Sequence, residues 1–304
     1  MASAARAFAL SYLAIQTAAL VAYWLVLWLI PGSRPLFAFR AAPDQTLLAI
    51  AAPDLLVFGV IGAAAGWAVW RQAGWAFFAL TAHAGAAAYA AVLAIGMWIA
   101  EPRLWPGAGL MLPALFLPGV FAWHARPGAR AAGEPTAASS LLKTAAQTVV
   151  FWAFFLFVVP PLIVRIEMGL GWSRWPIDPR VSRYAAVFLF AIAGACGVWS
   201  GWTMAVVGRG TPLPTDPACR LVVVGPYRFI RNPMAFTGVL QAVAVGIWLG
   251  AWSVVLYAVC GAVLWHMLVR PVEERELADR FGAAYRRYVA AVRCWLPRMK
   301  PYPG

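Results

Sequence analysis

The chain has 304 residues, of which 63% are hydrophobic and only 12% are charged. A soluble domain carries about 25% charged residues, so the composition excludes an ordinary soluble protein and indicates an all-α integral membrane protein. The net charge of +13 would favour nucleic-acid binding in a soluble protein. In a membrane protein it reflects basic loops kept in the cytoplasm, and we expect no nucleic-acid partner. The four cysteines lack metal-ligand spacing, so we expect no metal site.

Six apolar segments approach or exceed the ~20 residues that a helix needs to cross a bilayer. They are Ala7–Ile30, Leu47–Trp70, Gly74–Ala100, Leu104–Trp123, Thr144–Val164 and Tyr184–Val207. After the fourth, Arg126–Ser140 is rich in Pro, Gly, Ala and Ser and is the best linker candidate. We therefore expect a four-helix membrane region at 1–130, to which the sequence assigns no role, and a second membrane region at 141–304.

The longest charge-free run, Met234–Val269, contains 36 residues without Asp, Glu, Lys or Arg. A single helix of that length would measure ~54 Å, far more than the ~30 Å hydrocarbon core. Two short spans that fold back at Gly246–Gly250 explain the run better, and they bring the total to about eight transmembrane helices. The fold-back returns Glu273 to the membrane face at which Arg231 precedes the run.

Basic residues are distributed unequally between the two sides of this eight-helix arrangement. Of the 24 Lys and Arg residues, 17 fall on the side of the N-terminus and seven on the other. Because positively charged loops stay in the cytoplasm, we expect both termini there, in a bacterial inner membrane. Arg231 and Glu273 lie on the same cytoplasmic side.

The segment Val272–Val292 alternates apolar and basic residues with the period of a helix. Its apolar positions recur at spacings of three and four, and they are Leu277, Phe281, Ala284, Tyr285, Tyr288 and Val292. Arginines occupy much of the remaining surface. This pattern predicts an amphipathic interfacial helix that lies on the anionic inner leaflet or against the base of the hairpin.

Two charged clusters flank the hairpin. Asn232 and Pro233 are a favoured N-cap and first-turn residue, so free N–H groups and the helix dipole would attract an anion near Arg231. Glu273 and Glu274 add negative charge at the other end, and a ligand with both a carboxylate and an ammonium suits such a mixture. The alternative is an interfacial helix cap with snorkelling arginines and solvated carboxylates.

These residues, in this order, carry a resemblance to a known family. The pattern is Gly225-Pro-Tyr-x-x-x-Arg231-Asn-Pro233, the hairpin, then Glu273-Glu274-x-x-Leu277-x-x-x-Phe281-Gly-x-x-Tyr285-x-x-Tyr288 and Arg293…Pro297-Arg298. It resembles the isoprenylcysteine carboxyl methyltransferase-like and phospholipid N-methyltransferase group of integral membrane methyltransferases. The resemblance covers roughly Leu141–Pro301, which would make 141–304 a membrane methyltransferase core.

The resemblance implies S-adenosylmethionine as cofactor, bound at the cytoplasmic face. Carried over by motif, one group would line the amino-acid end of the cofactor, namely Tyr227, Arg231, Asn232 and Pro233. Glu273 and Glu274 would hold its ammonium or ribose hydroxyls, and Tyr285 and Tyr288 would close the pocket. Family members often read Arg-His-Pro where this chain has Asn232, so the resemblance leaves the methyl acceptor, lipophilic or small, unidentified.

Methyl transfer from a sulfonium needs alignment and desolvation more than acid–base catalysis. An ammonium or alcohol acceptor would still need a base, and Glu274 and His266 are the nearest candidates. Arg270 either anchors an anionic group of the acceptor or snorkels to the interface. Gln241, two turns into the first hairpin helix, either reaches the cofactor or bonds to a neighbouring span.

Two other functions compete with methyl transfer. One is an NADPH-dependent membrane reductase of sterol-reductase-like architecture, although no phosphate-cradling glycine loop is visible. The other is a transporter or non-catalytic lipid-binding protein, although the ionisable groups gather at one face and not along a path through the membrane. Membrane lipids are expected partners in every case, and the oligomeric state is left open.

Overall fold

The structure, a computed structural model, describes residues 3–127, 135–169, 171, 175, 178–212 and 218–303. Within those ranges the regular elements are helices, and seven of them are long and apolar enough to cross a membrane. The predicted all-α membrane fold is thus confirmed. The chain divides into two compact units, Met1–Ala132 (unit 1) and Gly133–Gly304 (unit 2). Residues 128–134, about half of the predicted linker, lie outside the described residues.

Unit 1 is built from long helices joined by short turns. Its elements are α1 Ser3–Leu29, a 3₁₀ turn Pro31–Leu36, α2 Pro43–Ala52, a π-helical turn Pro53–Gly59, α3 Val60–Trp70, α4 Ala76–Ala100, a 3₁₀ turn Pro102–Leu104, α5 Trp105–Leu110 and α6 Leu112–Ala125. The π-helical turn keeps α2 and α3 in one continuous helix, so the second candidate span runs over Asp44–Trp70. This span begins three residues before the predicted one because Pro43 suits the first helical turn.

The interior of unit 1 contains a polar pair inside an apolar setting. His83 on α4 is 1% exposed, and its Nε2 lies 2.9 Å from Oε1 of Gln16 on α1. The imidazole stacks on Phe58, with ring centroids 5.2 Å apart. Its other edge lies against Gly62 on α3, where an added Cβ would come within 2.9 Å of the ring. Glycine at this position therefore lets three helices close around one histidine.

Unit 2 contains the helices that carry the predicted site. Its elements are α7 Ala137–Trp152, a π-helical turn Ala153–Val158, α8 Val159–Gly169, α9 Pro179–Thr203, a π-helical turn Met204–Gly208, a 3₁₀ turn Gly225–Arg228, α10 Pro233–Leu249, α11 Trp252–Leu264, a π-helical turn Trp265–Val269 and α12 Arg270–Ala291. The helix from α11 to α12 is continuous through the last of these turns.

The apolar run of unit 2 folds as a helical hairpin. The chain reverses at Gly250, whose φ of +63° is the left-handed conformation that closes many helices. Gly246 faces the returning helix so closely that a Cβ there would lie 2.8 Å from Val255. α10 has 17 residues and is shorter than each of the seven candidate spans. Its crossing of the membrane, which would make it the eighth span, stays a prediction.

A row of glycines on α9 brings α10 close to it. An added Cβ at Gly197 would lie 3.0 Å from Oγ1 of Thr237, and one at Gly194 would lie 3.5 Å from Nε2 of Gln241. Small residues allow this close approach, and helix association inside a bilayer depends on such packing. α9 thereby holds α10 and its N-terminal turn in place.

The C-terminal helix differs in part from the predicted amphipathic segment. α12 starts as the extension of α11 and is interrupted at Gly282, which has φ +53° and ψ −123°. Beyond that break, Tyr285, Tyr288 and Val292 are buried. They pack against Leu221, Val223 and Tyr302 of the neighbouring loops. The apolar face of α12 thus packs against protein at the base of the hairpin, while its placement on a bilayer surface stays a prediction.

The contact between His83 and Gly62 supplies a direct test of the packing in unit 1. We expect Gly62→Ala to lower the midpoint of thermal unfolding in detergent by several degrees, because the new methyl group has to displace a stacked, buried ring. Gly85→Ala on α4 is the matched control, since no atom lies within 4 Å of its added Cβ. That control should be neutral or slightly stabilising because alanine favours helix. Equal midpoints for the two variants would contradict the tight contact.

Candidate active site

An ion pair joins the two ends of the hairpin in unit 2. Nη2 of Arg231, just before α10, lies 2.8 Å from Oε1 of Glu274 on α12. Arg270 on the same helix lies 3.7 Å from the same carboxylate oxygen. The hairpin therefore brings together the two charged clusters that lie 43 residues apart in the sequence, as the spacing predicts.

Arg231 also closes the end of α12. Its Nη1 donates to the carbonyl oxygens of Val289 and Val292, each at 3.3 Å, and its backbone N–H donates to the carbonyl oxygen of Arg293 at 3.0 Å. A cation near the carbonyl end of a helix complements the helix dipole. With its side chain only 11% exposed, Arg231 is held by these contacts and is not a free surface charge.

Asn232 caps α10. Its Oδ1 accepts a hydrogen bond from the backbone N–H of Ala235 at 3.1 Å, and Pro233 follows as the first helical residue. A histidine is therefore not required for this start, since the asparagine oxygen performs the capping. The first turn of α10 directs its remaining N–H groups and the positive end of its dipole toward the side of Arg231.

The two neighbouring glutamates have different surroundings. Glu274 is paired with Arg231 and Arg270, whereas Glu273 has no ion-pair partner within the described residues. Burial raises the pKa of Tyr227 above its ordinary value, and the proximity of Tyr288 and Glu273 raises it further. Glu273 is thus a half-buried glutamate close to Tyr227.

Three tyrosines surround the charged pair, and only two of them are fully engaged. The hydroxyl of Tyr288 donates to the carbonyl oxygen of Tyr227 at 2.7 Å, and that of Tyr227 points toward the carbonyl oxygen of Ser200 at 3.5 Å. Tyr285 is 3% exposed, yet its hydroxyl has no hydrogen-bond partner among the described residues. A buried hydroxyl without a partner is costly, so Tyr285 marks a position where a ligand or water belongs.

His266 is tied to the C-terminal segment. Its Nδ1 accepts a hydrogen bond from the indole N–H of Trp295 at 2.8 Å. Because an indole nitrogen only donates, the neutral imidazole has to carry its proton on Nε2. In that tautomer Nε2 is a donor, which makes His266 a weaker candidate for the general base than the glutamates.

Gln241 lies away from the charged pair. It sits eight residues after Pro233, about 12 Å along α10, and is 1% exposed. Its Nε2 lies near Gly194 of α9 and has no partner among the described residues. The structure therefore places Gln241 inside the helix bundle, and its contact with a cofactor stays a prediction.

The C-terminal segment adds residues that the sequence analysis did not assign to the site. Cys294 is 8% exposed and lies beside Arg231. Burial raises the pKa of its thiol, while Arg231 acts in the opposite direction. The backbone N–H of Arg298 donates to the carbonyl oxygen of Phe229 at 2.8 Å, and Tyr302 exchanges hydrogen bonds with Arg228. The sequence feature that pointed to this segment was the motif ending at Pro297-Arg298, and that motif gave no role to the thiol of Cys294.

The central position of Arg231 can be tested by stability. We expect Arg231→Met to lower the midpoint of thermal unfolding by several degrees, because it removes the partner of Glu274 and of two carbonyl groups at the end of α12. The expected loss, roughly 2 kcal/mol, lies between that of an exposed ion pair and that of a buried one. Arg286→Met removes an exposed arginine from α12, the helix that carries Glu274, and should change the thermal midpoint by no more than about one degree. A similar loss in both variants would show that Arg231 acts only through net charge.

A comparison with known protein families matches one segment of this chain. Residues 181–284, about a third of the chain, match the family model described as phospholipid methyltransferase. The match runs from α9 into α12 and contains both the turn at Tyr227–Pro233 and the Glu273-Glu274 pair. Searches of curated proteins and of solved structures found no match. Residues 181–284 of unit 2 are therefore similar to the phospholipid methyltransferase family, in agreement with the resemblance that the sequence motif carries.

Proposed function

We propose that unit 2 binds S-adenosylmethionine beside the Arg231–Glu274 pair and transfers its methyl group to a lipid-type acceptor at the cytoplasmic membrane face. One observation carries the proposal. The segment matched by the methyltransferase family contains both halves of a charged site, and the fold joins them. Among the described residues, Glu273 has no ion-pair partner and the Tyr285 hydroxyl has no hydrogen-bond partner. Together these groups supply the charges and the hydrogen-bond donor that an amino-acid ligand needs.

The residues present fit the amino-acid end of this cofactor. Glu273 offers a carboxylate to an ammonium group, and a charge-assisted hydrogen bond of that kind contributes about 1.5–3 kcal/mol. The first turn of α10, capped by Asn232, offers N–H groups and a positive dipole to a carboxylate. Tyr285 offers a hydroxyl that has no hydrogen-bond partner in the part of the chain that the structure describes. When bound, the cofactor supplies a methyl group activated by a sulfonium.

Arg231 acts on this site mainly by holding it together. Its guanidinium is shared between Glu274 and the carbonyls of Val289 and Val292, so it fixes α12 against the start of α10. In the proposed site this contact keeps Glu273, the neighbour of Glu274, beside the start of α10. The positive charge of Arg231 also remains close enough to favour a carboxylate ligand.

The acceptor end of the reaction depends on alignment. Glu274 is engaged in ion pairs with Arg231 and Arg270, and His266 presents a donor at Nε2. We therefore favour an acceptor that presents its own electron pair, such as an anionic oxygen or a neutral amine. The protein would then position that atom in line with the transferred methyl group and exclude water. Arg270 is the candidate to anchor a phosphate of such an acceptor.

Calorimetric titration of the purified chain with S-adenosylhomocysteine tests the proposal, with NADPH as the test of the reductase alternative. We expect S-adenosylhomocysteine to bind and NADPH not to bind. Glu273→Gln should weaken binding at least tenfold, which corresponds to ~1.4 kcal/mol. Asp279→Asn removes the same charge from an exposed position of α12 and should change the affinity less than twofold. Folded protein that binds NADPH, or that fails to bind S-adenosylhomocysteine, would refute the methyltransferase proposal.

Tyr285 and Tyr288 allow ligand binding and stability to be separated. Tyr285→Phe removes a hydroxyl without a partner, so we expect an unchanged or higher thermal midpoint together with weaker binding of S-adenosylhomocysteine. Tyr288→Phe removes a donor to the Tyr227 carbonyl, so its main effect should be a lower midpoint. If Tyr285→Phe lowers the midpoint and leaves ligand affinity unchanged, the hydroxyl serves the fold and not the cofactor.

A further inference from the structure

Unit 1 carries a groove that the methyltransferase site does not use. The groove has a volume of about 800 Å³ and runs between α1 and α3. Its walls are apolar, from Leu10 to Leu25 on α1 and from Gly62 to Trp70 on α3. The distance from Leu10 to Leu25 along α1, fifteen helical rises, is about 22 Å. One leaflet occupies about half of the ~30 Å hydrocarbon core, so the groove is long enough for one lipid chain.

Two arginines stand at one end of this groove. The guanidinium of Arg71 lies 5.8 Å from the ring centroid of Trp67 and 5.9 Å from that of Trp70, and both tryptophans line the groove. Arg6 lies one helical turn before Leu10, on the face of α1 that lines the groove. Neither arginine has an ion-pair partner among the described residues of the chain.

The surrounding sequence leaves this positive charge uncompensated. Residues 1–43 and 60–100 contain no Asp or Glu. Trp67 and Trp70 are each 56% exposed beside Arg71, the placement that tryptophans and arginines adopt at the boundary between lipid and water. The apolar groove therefore ends beside two arginine side chains, at the level where the lipid headgroups are expected.

We infer that this groove binds one anionic phospholipid, with an acyl chain between α1 and α3 and its phosphate beside Arg6 and Arg71. Apolar walls alone give little preference over other membrane lipids, because lipid chains are as apolar as the walls. The shape of the slot holds a chain, and the arginines select the headgroup by roughly fivefold each. The groove is lined by residues of unit 1, all of which lie outside residues 181–284.

Native mass spectrometry of the full chain in detergent can measure this preference. The probes are phosphatidylglycerol and phosphatidylcholine with identical acyl chains. We expect one phosphatidylglycerol to be retained more tightly, and Arg6→Gln combined with Arg71→Gln to weaken its binding by on the order of twentyfold. Phosphatidylcholine binding should change less than threefold in the same variant.

Two further variants test the place of binding. Arg126→Gln is the matched control for Arg71→Gln, because Arg126 also stacks on a tryptophan, Trp123, but does not adjoin the groove. It should leave phosphatidylglycerol binding unchanged. Ala14→Phe combined with Ala18→Phe fills the slot, keeps both arginines and should reduce the binding of both lipids, while an unchanged thermal midpoint verifies folding.

Three outcomes would overturn the inference. Equal retention of the two lipids would exclude headgroup selection. Full retention by the Ala14→Phe and Ala18→Phe variant would place the lipid elsewhere. A dimer of the unaltered chain that this variant converts to a monomer would show that a second copy of the chain, and not a lipid, occupies the groove.

Discussion

The ion pair between Arg231 and Glu274 is the contact on which the organisation of unit 2 depends. It closes the hairpin of α10 and α11 at its open end, across 43 residues of sequence, at 2.8 Å. The same guanidinium satisfies carbonyls at the end of α12, so one side chain fixes the start of one helix and the end of another. Because Arg231 is largely buried, its partners cannot be replaced by water without loss of stability.

This pairing also determines which groups remain for chemistry. Glu274 and Arg270 are neutralised within the site, whereas Glu273 and the Tyr285 hydroxyl lack partners among the described residues. Trp295 holds His266 in a tautomer that donates at Nε2. Such a site is organised to bind and orient a charged ligand more than to exchange protons. A methyl transfer from a sulfonium requires that kind of site, since alignment and exclusion of water dominate its rate.

The two units differ in the kind of polar residues that they enclose. Unit 2 contains the segment matched by the methyltransferase family and brings Arg231, Arg270 and Glu274 together at the open end of the hairpin. Unit 1 buries His83 against Gln16 and carries an apolar groove with two arginines at its end. In each unit glycine allows a close approach between helices, at Gly62 and at Gly246, because helix association in a bilayer depends on packing of small residues.

Much of the fold follows from sequence because it depends on local patterns. Apolar runs set the helices, Gly250 sets the reversal, and Asn232-Pro233 sets the start of α10, as their conformations require. The ordered motif from Gly225 to Tyr288 is likewise sufficient, by itself, to indicate the family. Only the tertiary structure decided which charges pair and that Gln241 points into the helix bundle. It also decided that Trp295 bonds to His266 and that Cys294 lies beside Arg231. These partners are far apart in sequence, and helix packing alone determines whether they meet.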